Sequence, residues 1–399
     1  MKKHIKKIIV LTSLSLAFFF FASCSEDDIT PSLTEIAPDP LAPPVIVSVE
    51  PPQEALAGIT TLTITGNNFS ATKENNSVYF NGSPGTVISS TSTQLEVVSA
   101  VVIADTVLVK VGVVGADQFS NNFIYKLKSA VSEVYPFNPS LSEFPYAIAI
   151  DGSENVYVSL SGKGTKKIDP QGNISDFAPG TTATTFFTSM TYASDNSIYG
   201  VKRIRGVYKV SENVSPVAFV ASAQGVTDNI NSINFDKARN VLWAGGGTGI
   251  VYRITLDKNI KKYNVNGNIN SIKVVQNNLF IASTTDNKEI IWKVPIISAD
   301  SLGIPELYFD VSTEIDSVIK IIDIAAAQDG DLYIGTNKAA DPIYVVHPDL
   351  TFEVFYPGIL NSAVYSLVWG NDKYVYMTNT VESVNTTILK IDMQKLGSQ

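Results

Sequence analysis

From residue 45 to about 127, apolar and polar side chains alternate with period two in short runs: "VIVSVEP", "TTLTITGNNF", "NSVYFNG", "TQLEVVSA", "TVLVKVGVVG" and "NNFIYKL". Such alternation puts one face of a strand into a core and the other into water. Turn residues separate the runs, and Asn81-Gly82 supplies a pair that tolerates the positive φ of a two-residue hairpin. Six or seven strands in this stretch predict a small β-sandwich.

Beyond about residue 130 the pattern repeats. Six lines superpose, beginning at Phe144, Phe187, Ile230, Ile269, Ile321 and Val364. Each carries an apolar strand, a polar turn, a "(V/L/I)(Y/W/F)" strand, a loop and a third strand of the "IYKV" type, usually with a fourth behind it. Spacings of roughly 39–52 residues match the four-stranded blades of a β-propeller. The sixth line stops after its third strand, and "SEVYPF" (132–137) is available to complete that blade and close the ring. The expected fold is therefore all-β: a sandwich over 45–127, then a six-bladed propeller over 130–399.

The first 44 residues do not share this pattern. Lys2, Lys3, Lys6 and Lys7 precede a 14-residue apolar run, Ile8 to Phe21, and then Ala22, Ser23 and Cys24. The run has signal-peptide length and is short of the ~20 residues that span a bilayer. Cys24 is the only cysteine of the chain. Residues 1–23 read as a signal peptide and 24–44 as an acidic, Pro-rich tether, reaching up to ~60 Å if extended as polyproline II. Without the leader the chain holds 25 basic and 38 acidic side chains. That surplus repels polyanions and argues against nucleic acid as a partner.

Three resemblances sharpen these expectations. "FASC" resembles a bacterial lipobox, with Phe21 where leucine is usual, which implies lipidation of Cys24 and a membrane held through the lipid alone. The acids Glu26, Asp27 and Asp28 resemble the surface-export signal of Bacteroidetes lipoproteins, and that resemblance implies an outer-membrane, cell-surface location and work alongside an outer-membrane uptake system. Pro51, "ITGNNF" (64–69), "VYFNG" (78–82) and "SNNFIY" (120–125) resemble an IPT/TIG domain of the immunoglobulin-like class. "PYAIAIDGSENVYVS" (145–159) and "IDIAAAQDGDLYIGTN" (322–337) resemble NHL repeats, with Ala147 in place of the usual glycine.

Composition narrows the chemistry. His4 leaves with the leader, so His347 is the one histidine available to a triad, a zinc site or a general base. Gly245-Gly246-Gly247 lacks the Lys-Ser/Thr of a phosphate-binding loop and reads as a blade turn. Trp243, Trp292 and Trp369 occupy recurring apolar positions and read as core. Tyr146, Phe186, Phe187 and Tyr365 fall at the starts of inner strands, where they either stack on a sugar or peptide at the channel rim or pack between blades. Lys202, Arg203 and Arg205 form the one dense basic cluster, either a site for an anionic ligand such as an acidic glycan or a solvated loop.

Asp323 stands where the other repeats carry Ala147, Ser189, Ser232, Ser271 and Ser366. Six-bladed propellers that this one resembles include metal-dependent lactonases. That resemblance implies Ca²⁺ or another divalent cation held by Glu143, Asn231, Asn270 and Asp323. The competing reading is a carboxylate solvated in the channel or paired with Lys320. The function expected overall is non-enzymatic capture of an extracellular glycan, other polymer or protein partner, with the metal-dependent hydrolase as the alternative.

Overall fold

Alternation in the sequence becomes alternation of burial in the strands of the computed structural model, which describes residues 40–180, 186–379 and 387–398. In strand Thr61–Asn67 only Leu62, Ile64 and Gly66 turn inward. This strand joins Val45–Glu50, Gln94–Val98 and Thr86–Ser90 in one sheet. Glu54–Leu56, Phe123–Lys128, Ala104–Val113, Asn76–Phe80 and Ser83–Pro84 form the other. Leu62, Ile64, Phe80, Leu95, Val109 and Leu127 are fully buried between the two sheets. Asn81 and Gly82 both have positive φ, 49° and 87°, and Phe80 pairs with Ser83 across them.

Ser129 and Ala130 alone separate the last sandwich strand from the strand Val131–Pro136. Six antiparallel blades make up the rest, with inner strands Pro145–Ile150, Ser189–Tyr192, Ile230–Asp236, Asn268–Val275, Ile321–Ala326 and Ser366–Trp369. Five have four strands, and the fourth has five because Lys288–Ser298 pairs with both Ser301–Leu302 and Glu306–Asp310. Each inner strand lies against the next, and the sixth lies against the first. Val131–Pro136 is hydrogen-bonded to Thr387–Asp392 as the outer strand of the sixth blade. The ring is thus closed by a strand from before the first blade, which covers an edge that would otherwise be open. The all-β class expected from the sequence is the class observed.

Two recurrent devices explain the repeat pattern. The turn acids cap the hairpins: Asp151 accepts from Tyr157 Oη at 3.0 Å, Asp195 from Tyr199 Oη at 2.9 Å, and Asp236 from Trp243 Nε1 at 3.3 Å. The aromatic of the "(V/L/I)(Y/W/F)" strand therefore buries its ring and spends its polar tip on the turn. The second device links neighbouring blades. Ser189 Oγ accepts from Ile233 N at 3.2 Å, and Ser232 Oγ from Ile272 N at 3.0 Å. Two residues further along, Thr191 accepts from Phe235 N and Asn234 from Val274 N. Inner strands have an unpaired edge toward the channel, and these short polar side chains satisfy it.

Candidate functional site

The starts of the inner strands surround a cavity of about 440 Å³. Asn229, Asn231, Asn268 and Asn270 contribute amides, and Thr188 and Thr284 contribute hydroxyls. Arg203 and Lys320 bring positive charge and Tyr365 an aromatic wall. Tyr365 meets Tyr146 edge-on, with ring centroids 5.0 Å apart, and Tyr146 stacks on Phe186 at 3.8 Å and 12°. All three rings are half-buried, so they form one aromatic group at this rim. Burial pushes the Tyr365 phenol far above its ordinary value, although the Arg203 charge works against the shift. At neutral pH it is a neutral donor and acceptor.

Asn231 donates through Nδ2 to Asn268 Oδ1 at 3.1 Å and to the Ile269 carbonyl at 2.8 Å, joining the third and fourth blades. Asn270 donates to Thr284 Oγ1 at 3.1 Å and to Glu289 Oε2 at 3.3 Å. Glu289 is wholly buried and also accepts from Thr284, from Ile321 N and from Lys320 Nζ at 3.0 Å. A carboxylate taken out of water needs this full set of donors. Its effect is to hold Lys320, itself half exposed, at the rim.

Glu289 is not recognisable as a site residue in the sequence because it aligns with Arg205, Gly249 and Asp341, which precede the third strands of their blades, although Glu289 itself is the second residue of the strand Lys288–Ser298. A charge at that position looks like any solvated turn. Its burial comes from the fourth and fifth blades meeting around it.

Several expectations are corrected. Phe187 is not at the rim: it is 2% exposed in the core between the first two blades, packed over Gly200, with its N–H on Ser159 Oγ. Neighbours in sequence point oppositely across a strand entry, so Phe186 reaches the rim and Phe187 cannot. The basic cluster divides. Lys202 Nζ lies 4.6 Å above the Tyr208 ring, Arg203 lines the cavity, and Arg205 is exposed and is not among the lining residues. Trp243 is fully buried, and Trp369 packs partly against the core, edge-on to Tyr333 at 5.5 Å, while it also lines a second cavity at the opposite channel mouth, with Nε1 on the Asp372 carbonyl.

The proposed ion ligands do not converge. Asp323 Oδ1 accepts from Ser271 Oγ at 2.6 Å and Ile324 N at 2.9 Å, and Oδ2 accepts from Leu367 N at 2.8 Å. Its charge partner is Lys273, at 3.5 Å, and not Lys320. Asp323 is the inter-blade stitch of the fifth blade, doing with a longer side chain what Ser189 and Ser232 do in theirs. Glu143 instead accepts from Asn138 N at 3.1 Å in the turn that precedes the first blade. Among the described residues no three Asp, Glu, His or Cys side chains group as a metal site would require. His347 follows the third strand of the fifth blade, Ile343–Val346, with Nδ1 2.8 Å from Asp331, and lines neither cavity. Gly246 shows why its turn needs glycine: a Cβ there would lie 1.7 Å from the Asn229 carbonyl oxygen. Cys24 and the acids after it fall outside the described residues.

Fold and site together define a sandwich-plus-propeller protein with an amide- and aromatic-lined channel mouth. Residues 44–126 match the IPT/TIG domain family. No curated protein matches the chain. Among solved structures, the chain is similar to a candidate phosphatase from Bacteroides thetaiotaomicron, with 14% identity and a TM-score of 0.57 over 90% of this chain and 98% of that one. It is also similar to a protein of unknown function from the same organism, at 14% identity and TM-score 0.51, covering 89% and 99%. An auxiliary nutrient binding protein from that organism aligns at 12% identity and TM-score 0.50, covering 88% and 98%. At these identities the likeness concerns the whole two-domain fold.

Proposed function

We propose that the protein is a non-enzymatic binding protein of the cell surface that captures an extracellular glycan at the mouth formed by the starts of its inner strands. The observation that carries this reading is the Tyr146–Phe186–Tyr365 group beside a cavity lined by four asparagines and Arg203. Aromatic faces stack on sugar rings, and amides both donate to and accept from hydroxyls. Arg203 and Lys320 favour glycans that carry an acidic group. Two observations speak for binding without turnover: His347 is engaged by Asp331 away from both mouths, and the carboxylates Asp323 and Glu289 are saturated by structural partners. The similarity in fold to an auxiliary nutrient binding protein accords with it.

In this reading Cys24 carries the lipid, residues 25–44 form the stalk, and the IPT/TIG domain is a spacer that lifts the propeller toward the medium. The test is a glycan array on the soluble protein from residue 45 onward. Binding to neutral or uronic-acid-containing glycans is expected, weakened about threefold to tenfold by Tyr365→Ala or Phe186→Ala, since aromatic contacts of this kind contribute on the order of 0.5–1.5 kcal/mol. A flat array, or binding indifferent to both substitutions, overturns the glycan reading. Labelled palmitate should enter the wild-type protein and not the Cys24→Ser variant; equal labelling overturns the anchor.

A further inference from the structure

The larger cavity is at the other end of the channel. It measures about 710 Å³ and is lined by residues at the far ends of all six inner strands, from Ile150 to Trp369. Its wall is mostly apolar, built from Ala149, Met190, Val274, Ala325 and Leu367, with Trp369 at the side. An apolar wall of this size with a few polar groups is what small-ligand sites have in common.

Two lysines line it. Lys273 is largely buried, its side chain 17% exposed, and its one charge partner is Asp323 at 3.5 Å. That distance is too long for a hydrogen bond, and Asp323 already accepts three. The ammonium has three donors and, among the described residues, no hydrogen-bond acceptor. Lys237 is exposed at the same mouth and has no hydrogen bond or ion pair among the described residues.

The acids of this mouth do not compete for them. Asp151 is held by Ser153 N, Asn155 and Tyr157, and Asp236 by Arg239 and Trp243. An ammonium only 17% exposed in the lining of a mostly apolar cavity, with a single ion pair at 3.5 Å, is incompletely compensated. An incoming oxyanion supplies the missing acceptor.

We propose that this second mouth is an anion-selective ligand site, in which Lys273 and Lys237 hold the carboxylate or phosphate of a small organic molecule whose body lies against the apolar wall and Trp369. It is independent of the glycan reading, because it shares no residue with the opposite cavity.

The experiment titrates the full soluble protein with glucuronate and with glucose 6-phosphate, using glucose as the uncharged control, followed by ligand-observed NMR. Saturable binding of at least one anion and none of glucose is expected. Lys273→Met and Lys237→Met should each weaken it about tenfold or more, the loss of one charge-assisted contact. Lys237 is exposed, so its variant retains the fold even if the Lys273 variant does not. Tyr365→Ala should leave this binding unchanged. The anion arms distinguish a carboxylate ligand from a phosphate one. Failure of both anions, equal binding of glucose, or sensitivity to Tyr365→Ala instead of Lys237→Met overturns the proposal.

Discussion

Replacing Asp323 by alanine tests whether this carboxylate is a structural stitch or an ion ligand. In the native protein it takes hydrogen bonds from Ser271 Oγ, Ile324 N and Leu367 N, and its side chain is 13% exposed. Ile324 N retains a longer contact to Ser271 Oγ at 3.4 Å, whereas Leu367 N has no second side-chain acceptor among the described residues. An orphaned buried N–H costs about 1–3 kcal/mol, and the largely buried Lys273 without its carboxylate adds to that. The expected loss is therefore about 3–5 kcal/mol for Asp323→Ala. It falls to about 1–2 kcal/mol for Asp323→Asn, whose amide oxygen can still accept from Leu367. Urea unfolding of the soluble protein, followed by circular dichroism, measures both. Calcium supplies the discriminating arm. An ion bound here would stabilise the fold by about 2.7 kcal/mol at a concentration 100 times its Kd; no calcium-dependent shift is expected. A loss below about 0.5 kcal/mol for Asp323→Ala, or a calcium-dependent gain that this variant abolishes, would refute the reasoning.

Adjacent phenylalanines should separate stability from binding. Phe187→Ala empties a core position and should cost about 3–5 kcal/mol in the same unfolding assay, while Phe186→Ala should cost far less and act on glycan affinity. A reversed order would place the wrong ring at the rim. The hairpin acids predict acid sensitivity. Burial raises the Asp151 and Asp195 carboxyls, but hydrogen bonds from Asn155, Ser153 and Tyr157, and from Lys209 and Tyr199, more than offset this and hold both below the ordinary 3.8. Groups lowered in the folded state contribute stability that is complete above that value and is lost as pH falls through their folded values. Thermal unfolding should therefore show a steep loss below about pH 4, flattened in the Asp151→Asn/Asp195→Asn double variant. An unchanged acid limb would contradict it.

The strand runs and the six repeats were legible because period two and period forty are written in the apolar residues themselves. The aromatic of each second strand was legible too, and the structure adds that Asp151, Asp195 and Asp236 cap it. Asp323 was recognisable as an exception among small residues, but its meaning was not. Its partners Ser271, Lys273 and Leu367 come from neighbouring blades up to 52 residues away. Phe186 and Phe187 look alike in the chain and differ only in which way the strand entry turns them.

By itself, the chain determined the class of fold, the order of its domains and the position of its one thiol, because periodicity and composition act locally. Tertiary structure alone decided which polar groups are free to meet a ligand. Asn231, Asn270, Glu289 and Asp323 are commonplace until adjacent blades bring donors to them, and Lys273 is notable only because no acceptor comes close enough. Satisfaction of hydrogen bonds is a property of neighbours in space, and in a propeller those neighbours lie one blade away.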